Sequence, residues 1–220
     1  DVYKRQEDGS VLRTYGGAIL AHSATAEFKF RQRADSRLAE KQAIAAQVAA
    51  MVKPGMAVSI DTGTTTLQVA RAISAIPDLT VLTSSLAVAS QLYFRENINL
   101  VILGGQVRKN SPDLFGSLTV SNTASFRADI AVLGTDAASE DGLYASDAGV
   151  ASVSRALIEN AAKNVLAADS SKFSSTAFNK FACWEDIDAV VTDGGLPAAT
   201  KRWLAEKAGD VIIAGPEKRR

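Results

Sequence analysis

Short apolar runs recur along most of the chain, and most are followed by a turn of small residues and a stretch with helical spacing. This alternation is typical of a parallel sheet that helices cover on both faces. The predicted strands are Ala57 to Ile60, Leu79 to Leu82, Leu100 to Leu103, Ile130 to Leu133, Val165 to Ala168, Ala189 to Val191 and Val211 to Ile213. The pattern therefore predicts an α/β fold, a Rossmann-like three-layer sandwich with a mostly parallel sheet.

Apolar residues at helical spacing predict helices between these strands and one more ahead of them. The helices between the strands are expected at Thr65 to Ala75, Leu86 to Phe94, Ala151 to Ala162 and Ala198 to Lys207. The helix ahead of them has its apolar residues between Ile44 and Val52 and stops at Pro54-Gly55. Asp35 and Ser36 are its expected N-caps, because short polar side chains satisfy the free amides of a first turn.

The length of the chain, 220 residues, suits one sizeable α/β domain with a full hydrophobic core. Residues 1–30 are interpreted as an N-terminal remnant and linker, since Asp1 to Gln6 has neither an initiating Met nor an apolar period. Residues 31–215 form the predicted domain and residues 216–220 a tail. We therefore expect a single folded unit between two short flanking segments.

Charge and composition narrow the classes of function. The 24 basic and 24 acidic side chains cancel, which leaves no excess positive charge to attract a nucleic acid backbone. Cys183 and His22 are each the only residue of their type, which excludes an internal disulfide framework and a multi-histidine zinc site. No apolar run approaches the ~20 residues that span a bilayer. The composition therefore predicts a cytoplasmic protein without a metal, another cofactor or a membrane contact.

The first predicted strand ends in a polar segment that runs directly into a helix. Asp61 and Gly63 are followed by three hydroxyl side chains, those of Thr64, Thr65 and Thr66. A glycine, hydroxyls and a helix N-terminus together suit a phosphate, because unpaired backbone amides and the helix dipole favour an anion. The threonines could equally do no more than cap the helix.

The next two strand ends are also polar. Ser84 and Ser85 precede a predicted helix, where a simple N-cap explains them as well as a ligand contact does. Gly104 and Gly105 permit close approach of the backbone to a ligand or a tight turn. Arg108 could hold a phosphate or carboxylate with two hydrogen bonds, or could simply be solvated.

The remaining strand ends supply carboxylates and a lysine. Gly134, Asp136 and Asp147 follow the fourth strand, and short carboxylates suit sugar hydroxyls. Lys172 follows the fifth strand and is a candidate phosphate or carbonyl partner, although many loop lysines are only solvated. Because the carboxyl ends of parallel strands share one edge of the sheet, these groups predict a pocket for a small, polyhydroxylated, anionic ligand.

Several segments, in their order along the chain, resemble the DeoR-type regulators of bacterial sugar metabolism. They are Arg13 to Ala18, Lys41 to Ala45, Asp61 to Thr66, Leu79 to Leu86, Leu103 to Arg108, Gly142-Leu143 and Ala168 to Phe173. The resemblance runs from about Leu12 to Ile213, which is nearly the whole chain. Ser84 and Ser154 depart from the family pattern, which leaves the identity of the effector open.

The resemblance implies a non-enzymatic effector-sensing domain of a repressor. Such a domain binds a phosphorylated sugar or polyol, self-associates as a dimer or tetramer and controls DNA binding through the arrangement of its subunits. In this family a winged helix-turn-helix precedes the segment that matches Gly16 to Ala18, and we expect it to be absent here. The phosphate is expected at Thr64 to Thr66, with Lys172 or Arg108 supplying charge.

Two alternatives remain open. The family's sensor is similar in fold to ribose-5-phosphate isomerases and coenzyme A transferases, so the first alternative is an active sugar-phosphate isomerase. Those isomerases carry three carboxylates where Leu133 to Ala137 retains Asp136 alone, and Gly149 and Val150 stand near the position of the catalytic base. The second alternative is a structural oligomerisation domain that binds no small molecule.

Overall fold

The computed structural model of the protein describes residues 11–14, 17–20, 26–109 and 111–215. Its strands, in chain order, are β1 (Val11–Thr14), β2 (Gly17–Leu20), β3 (Ala57–Ile60), β4 (Leu79–Thr83), β5 (Ile98–Ile102), β6 (Gln106–Val107), β7 (Leu114–Phe115), β8 (Ile130–Leu133), β9 (Ala137–Ser139), β10 (Gly142–Ala145), β11 (Asn164–Ala167), β12 (Asn179–Ala182), β13 (Ala189–Asp193) and β14 (Asp210–Ala214). Its helices are α1 (Ala26–Asp35), α2 (Leu38–Ala49), α3 (Thr64–Ile73), α4 (Leu86–Leu92), α5 (Ser117–Thr123), α6 (Ala148–Glu159) and α7 (Ala198–Lys207), with 3-10 helices at Ser170–Ser174 and Trp184–Asp186.

The main sheet has seven strands, all parallel, in the order β14-β13-β11-β8-β3-β4-β5. Every strand of this sheet coincides with a predicted one to within two residues at either end. The predicted α/β fold with a mostly parallel sheet is therefore confirmed.

Alternate residues of the central strands enter two separate apolar cores. In β8, Val132 packs into one core, while its neighbours Ala131 and Leu133 pack into the other. In β11, Val165 and Leu166 divide in the same way. Because both faces of the sheet are buried, these strands appear in the sequence as continuous apolar runs rather than as alternating ones.

Helices cover the sheet on each face and give it three layers. Ile44 of α2, Val69 of α3 and Val88 of α4 are fully buried in the first core. Leu157 of α6 and Leu204 of α7 are buried in the second core. The apolar stripes that predicted these helices are therefore the surfaces that pack on the sheet.

The sequence pattern did not predict the smaller elements. An antiparallel sheet in the order β12-β10-β9 buries Leu143 and Phe181 in the second core. The β1–β2 and β6–β7 hairpins and the helices α1 and α5 were also missed. Most of these short strands lack the continuous apolar run that marks the strands of the main sheet, and their pairing depends on tertiary contacts.

The N-terminal side of the domain corrects one prediction. Asp35 is the last residue of α1, and α2 begins after Arg37, whose φ of 53° is left-handed and whose side chain forms no cap. The expected N-caps Asp35 and Ser36 are therefore wrong, because α1 occupies the segment and the chain must reverse at Arg37. The domain start at residue 31 and the tail at 216–220 stay predictions. The tail, Asp1 to Gln6 and His22 lie outside the described residues.

The strand order reverses between β3 and β8. After β3 the chain adds β4 and β5 on one side, then returns to the other side of β3 with β8 and continues to β11, β13 and β14. The loops after β3 and β8 therefore diverge and leave a crevice at their carboxyl ends, which is where open α/β sheets bind ligands.

Within residues 26–109 and 111–215, no helix is both long enough and apolar enough to span a membrane. The same part of the chain contains no group of three or more His, Cys, Asp or Glu side chains placed to hold a metal ion.

Candidate functional site

A cavity opens at the carboxyl ends of β3 and β8, where the strand order reverses. The centres of water-sized molecules have about 130 Å³ available in it, roughly ten times the minimum for one water molecule. The strand ends contribute Asp61, Thr62, Gly63, Thr64, Thr65, Thr66, Gly134, Thr135, Asp136, Asp169, Ser171 and Lys172 to its lining. Its position and its polar lining make it the candidate binding site.

The first turn of α3 supplies unpaired amides to this cavity. Gly63 precedes the helix with a φ of 146°, and its carbonyl accepts the first helical hydrogen bond from Leu67 N at 3.2 Å. Among the described residues, no acceptor pairs with the backbone amides of Thr64, Thr65 or Thr66. Free amides at the positive end of a ten-residue helix favour an anion at this point.

Cationic side chains line the cavity beside this helix start: Arg33, Arg37, Lys41 and Lys172, named here the cationic wall. Arg33 belongs to α1, Lys41 to α2 and Arg37 to the turn between them, while Lys172 lies in the 3-10 helix after β11. The segment ahead of the main sheet therefore contributes much of the positive charge of the site.

Lys41 is a buried ammonium in this wall, with 4% of its surface exposed. Its Nζ donates to the carbonyl of Ser36 at 2.7 Å and to that of Arg33. Burial lowers the pKa of Lys41, although the nearby Asp169 carboxylate raises it. No carboxylate in the described part of the chain lies at ion-pair distance from Lys41. The positive charge is thus available to an anionic ligand.

Arg37 fastens the α1–α2 turn to the main sheet. Its Nε lies 3.2 Å from Asp169 Oδ1, and its Nη2 lies 3.2 Å from Asp193 Oδ2. The same Nη2 donates to Ser170 Oγ at 2.9 Å, and Ser170 N donates to Asp193 Oδ1 at 2.7 Å. Because Asp169 follows β11 and Asp193 ends β13, these contacts couple the turn to two strand ends.

Asp61 is a carboxyl that lines the cavity and is only 2% exposed. It accepts hydrogen bonds from Thr62 N at 2.7 Å and Ser154 Oγ at 2.9 Å, and a further one from Gly134 N. Burial raises the pKa of Asp61 to about 7, and these hydrogen bonds oppose the rise only in part. Together with Asp136, which also lines the cavity, Asp61 forms what is named here the carboxylate wall.

Arg108 and Asp113 form a bidentate ion pair beside this wall. Arg108 Nε and Nη2 donate to the two carboxylate oxygens of Asp113 at 2.7 and 2.6 Å, and Thr62 Oγ1 adds a bond of 2.6 Å. Burial raises the pKa of the fully buried Asp113, but the bonds and the charge of Arg108 bring it below the ordinary value. Two of the donor nitrogens of Arg108 are thus already committed.

The structure brings most of the predicted site residues together. Those that line the cavity are Asp61, Gly63, Thr64, Thr65, Thr66, Arg108, Gly134, Asp136 and Lys172. Gly134 permits the close approach of the β3 and β8 ends, because a Cβ there would lie 3.0 Å from the carbonyl oxygen of Thr62. Their role as ligand contacts stays a prediction.

Five predicted residues lie outside the lining, namely Ser84, Ser85, Gly104, Gly105 and Asp147. Ser85 Oγ caps α4 by accepting from Val88 N at 3.3 Å, and Asp147 Oδ1 caps α6 by accepting from Gly149 N at 2.8 Å. A Cβ on Gly105 would lie 2.0 Å from Thr119 Oγ1, so this glycine serves internal packing. The ligand contacts of all five residues stay predictions, whereas Ser85, Gly105 and Asp147 have structural roles.

Sequence reasoning missed the cavity residues of α1 and α2 and the buried partner Asp113. Lys41 carried a usable signal, because it lies three and four residues before the core residues Ile44 and Ala45 and hence on the buried face of α2. A lysine is rarely buried without a functional or paired role. Arg33 and Arg37 carried no such signal, since only the tertiary fold brings them to the cavity.

The chain is similar to known proteins over most of its length. The family model described as the DeoR C terminal sensor domain matches residues 36–194. The HTH-type transcriptional repressor CsqR of Escherichia coli (strain K12) is 33% identical over 214 residues, covering 97% of this chain and 82% of that protein. The glycerol-3-phosphate regulon repressor of the same strain is 31% identical over 207 residues, covering 94% of this chain and 82% of that protein.

Solved structures resemble the fold at lower identity. The eIF2B delta structure from Chaetomium thermophilum has a TM-score of 0.52 and 18% identity, covering 74% of this chain and 58% of that chain. A ribose 5-phosphate isomerase from Methanocaldococcus jannaschii has a TM-score of 0.45 and 21% identity, covering 60% of this chain and 53% of that chain. The first of these supports the fold alone.

Proposed function

This chain belongs to the family of DeoR C-terminal sensor domains, and we propose that its cavity binds a phosphorylated sugar or polyol as the effector of a transcriptional repressor. The observation that carries the proposal is the meeting of the free amides of α3 with the cationic wall in one cavity. A helix N-terminus and adjacent lysines are a recurrent phosphate site, because amides give directed hydrogen bonds and ammonium groups give charge.

The phosphate lies between the amides of Thr64 to Thr66 and the ammonium groups of Lys41 and Lys172. The buried charge of Lys41 supports this arrangement, since its recorded partners are neutral carbonyls and a buried cation is costly without an anion. Arg108 is a weaker candidate because Asp113 already engages it. Lys172 is therefore the better of the two charge donors considered from the sequence.

The remainder of the ligand faces the strand ends. Asp61, Asp136 and the hydroxyl of Thr64 supply acceptors and donors of the kind that bind sugar hydroxyls. A relative at 31% identity is named after the glycerol-3-phosphate regulon, which supports a phosphorylated polyol or a related compound as the ligand class.

The domain acts by binding rather than by turnover. Isomerisation of a sugar phosphate needs a base beside the reacting carbons, and Gly149 and Val150 offer none where such enzymes carry it. The relatives named as repressors support the same reading. Because Asp61 has a pKa of about 7, suited to a base, turnover of each bound compound is measured alongside binding.

The regulatory signal passes through the α1–α2 segment. This segment carries Arg33, Arg37 and Lys41, so a ligand that contacts them favours one position of the segment over another. We expect the cytoplasmic regulator to self-associate as a dimer or tetramer and to contact DNA through a winged helix-turn-helix outside this sequence. Effector binding then changes the arrangement of those DNA-binding domains.

A thermal-shift screen tests the proposal with phosphorylated sugars and polyols beside their unphosphorylated counterparts. A correct ligand at about a hundred times its Kd should raise Tm by about 5–10 °C without turnover. Lys172→Ala and Thr65→Val should reduce the shift, because they remove a charge and a hydroxyl from the phosphate site. Lys53→Ala, an exposed lysine outside the cavity, is the matched control and should leave the shift unchanged.

Two outcomes contradict the proposal. If no phosphorylated compound raises Tm, the phosphate site is wrong and an oligomerisation domain becomes the leading interpretation. If a compound binds and is converted to its isomer, the protein is a sugar-phosphate isomerase and Asp61 is the first residue to test as its base.

A further inference from the structure

The buried carboxylates near the cavity differ in their partners. Asp113 is paired with Arg108, and Asp169 and Asp193 are paired with Arg37. Asp61 is as deeply buried as these, at 2% exposure, yet no Lys or Arg among the described residues lies at ion-pair distance from it. Asp61 is therefore a buried acid that lacks the kind of partner its neighbours have.

The environment of Asp61 is built to hold a carboxylate but does not neutralise it. Two backbone amides and Ser154 Oγ point neutral donors at its oxygens. These bonds replace water in part, but a buried carboxylate without a cation still costs several kcal/mol. The Asp113 carboxylate nearby adds repulsion rather than relief. A cation brought into the cavity would relieve this cost.

Asp136, the second member of the carboxylate wall, lines the same cavity as Asp61. Asp136 follows β8, as Asp61 follows β3, and these two strands are adjacent in the sheet. Its Oδ2 accepts from Ser146 N at 2.8 Å, and it too has no cation at ion-pair distance among the described residues. Arg108 lines the same cavity but is already paired with Asp113, and the other cations of the site belong to α1, α2, the turn between them and the 3-10 helix.

We propose that the ligand carries an ammonium group as well as a phosphate, and that the ammonium group binds at Asp61 and Asp136. This inference rests on the proposed function, because it divides the same cavity into a phosphate end and an amine end. The ligand class is then an amino-sugar phosphate or an aminated polyol phosphate. A hydroxyl in the same place would accept or donate hydrogen bonds but would leave the charge of Asp61 uncompensated.

Calorimetric titration with matched pairs of ligands tests the inference. Glucosamine, galactosamine and mannosamine 6-phosphates are compared with the corresponding hexose 6-phosphates, which differ in having a hydroxyl in place of the amine. The N-acetylated 6-phosphates keep the nitrogen but lose its charge. We expect one amine compound to bind about tenfold or more tightly than both of its uncharged counterparts, because a close charge pair in a buried site forms only with the amine.

Two variants test whether the preference for the amine depends on Asp61. Asp61→Asn keeps the shape of the side chain and can still bond Ser154, so it should reduce the preference for the amine to within about twofold while phosphate binding remains. Lys172→Ala should weaken each member of a pair by a similar factor and preserve the preference. Unfolding curves of both variants without ligand show whether each is folded.

The results separate this inference from the proposed function. If amine and hydroxyl compounds bind equally, or if Asp61→Asn keeps the preference, the ammonium site is wrong while the phosphate site stands. Binding only of phosphate esters without nitrogen, such as glycerol 3-phosphate, overturns it in the same way. If no phosphorylated compound binds, the proposed function itself fails, and this inference fails with it.

Discussion

The residues of the cationic wall belong mainly to α1, α2 and the turn between them, which precede the main sheet. Those of the carboxylate wall follow β3 and β8, which are central strands of that sheet. Asp61 is placed by the pairing of β3 with β8, since its amide donates to the carbonyl of Val132 at 2.9 Å. Asp136 lies in the loop after β8 and is held by hydrogen bonds with Tyr144 and Ser146.

Arg37 is placed by side-chain contacts with the distant Asp169 and Asp193, whereas Lys41 lies on the buried face of α2 and bonds only nearby carbonyls. The turn that carries Arg37 therefore depends on a few side-chain contacts, whereas Asp61 is fixed by the main sheet.

Because of this difference, one cavity can both select a ligand and transmit the binding signal to the rest of the protein. A group held by the sheet supplies selectivity, because its position is independent of the ligand. A side chain held by a few tertiary contacts can transmit the binding signal, because a ligand needs only to compete with those contacts or reinforce them.

The largest effect is expected from Arg37→Met, which removes the link between the cationic wall and the sheet. Asp169 and Asp193 would keep their burial but lose their cation, and breaking a buried ion pair typically costs about 3 kcal/mol or more. Urea unfolding monitored by circular dichroism measures the loss. Arg155→Met removes an exposed arginine that bonds only a carbonyl in the described structure and should cost under about 0.5 kcal/mol.

An equal cost for the two arginine variants would contradict the view that Arg37 fastens the wall. It would mean that the apolar contacts of α2 hold this segment in place without Arg37, and the role given to Arg37 in transmitting ligand binding would lose its basis.

A smaller effect, with the opposite sign, is expected from Asp61→Asn in the carboxylate wall. The pKa of Asp61 is about 7 in the folded protein and ~3.9 in an unfolded chain, so the folded state binds more protons between these values. The free energy of unfolding should therefore fall as the pH rises through this window, by up to about 1.4 kcal/mol per pH unit, and level off above it. The variant cannot titrate and should lack this part of the slope.

Unfolding curves of both proteins between pH 5 and pH 8 provide the measurement. The variant should be the more stable of the two at pH 8, by roughly 1–3 kcal/mol, although it binds the ligand less well. Parallel pH profiles would show that Asp61 is not the uncompensated charge described above.

The smallest effect is expected from Arg108→Lys, beside the carboxylate wall. Lysine keeps the charge opposite Asp113 but cannot reproduce the two parallel hydrogen bonds, so the loss should be about 1 kcal/mol. Chemical unfolding measures the change, and Arg108→Met, which also removes the charge, should cost clearly more. If the two substitutions lower the free energy of unfolding equally, the charge of Arg108 contributes little to stability.

The sequence alone determined the main sheet and part of the site, since nine of the predicted residues line the cavity. The seven strands and the polar residues after β3 and β8 follow from local patterns, because a buried parallel strand must be apolar and its carboxyl end opens onto the crevice. Asp61 and Thr64 to Thr66 lie in one continuous segment, so their proximity is a local property of the chain. The resemblance to a known family added the ligand class.

Tertiary packing sets which polar residues face the cavity and which stabilise the fold. Ser85 and Asp147 have the same polar character as Thr65, but their side chains cap α4 and α6 and do not line the cavity. Arg37 reaches the site through partners more than 130 positions away, a distance over which sequence periodicity carries no information. Burial, and with it the unpaired charge of Asp61, exists only once distant strands are packed together, since it is the exclusion of water that makes a charge costly.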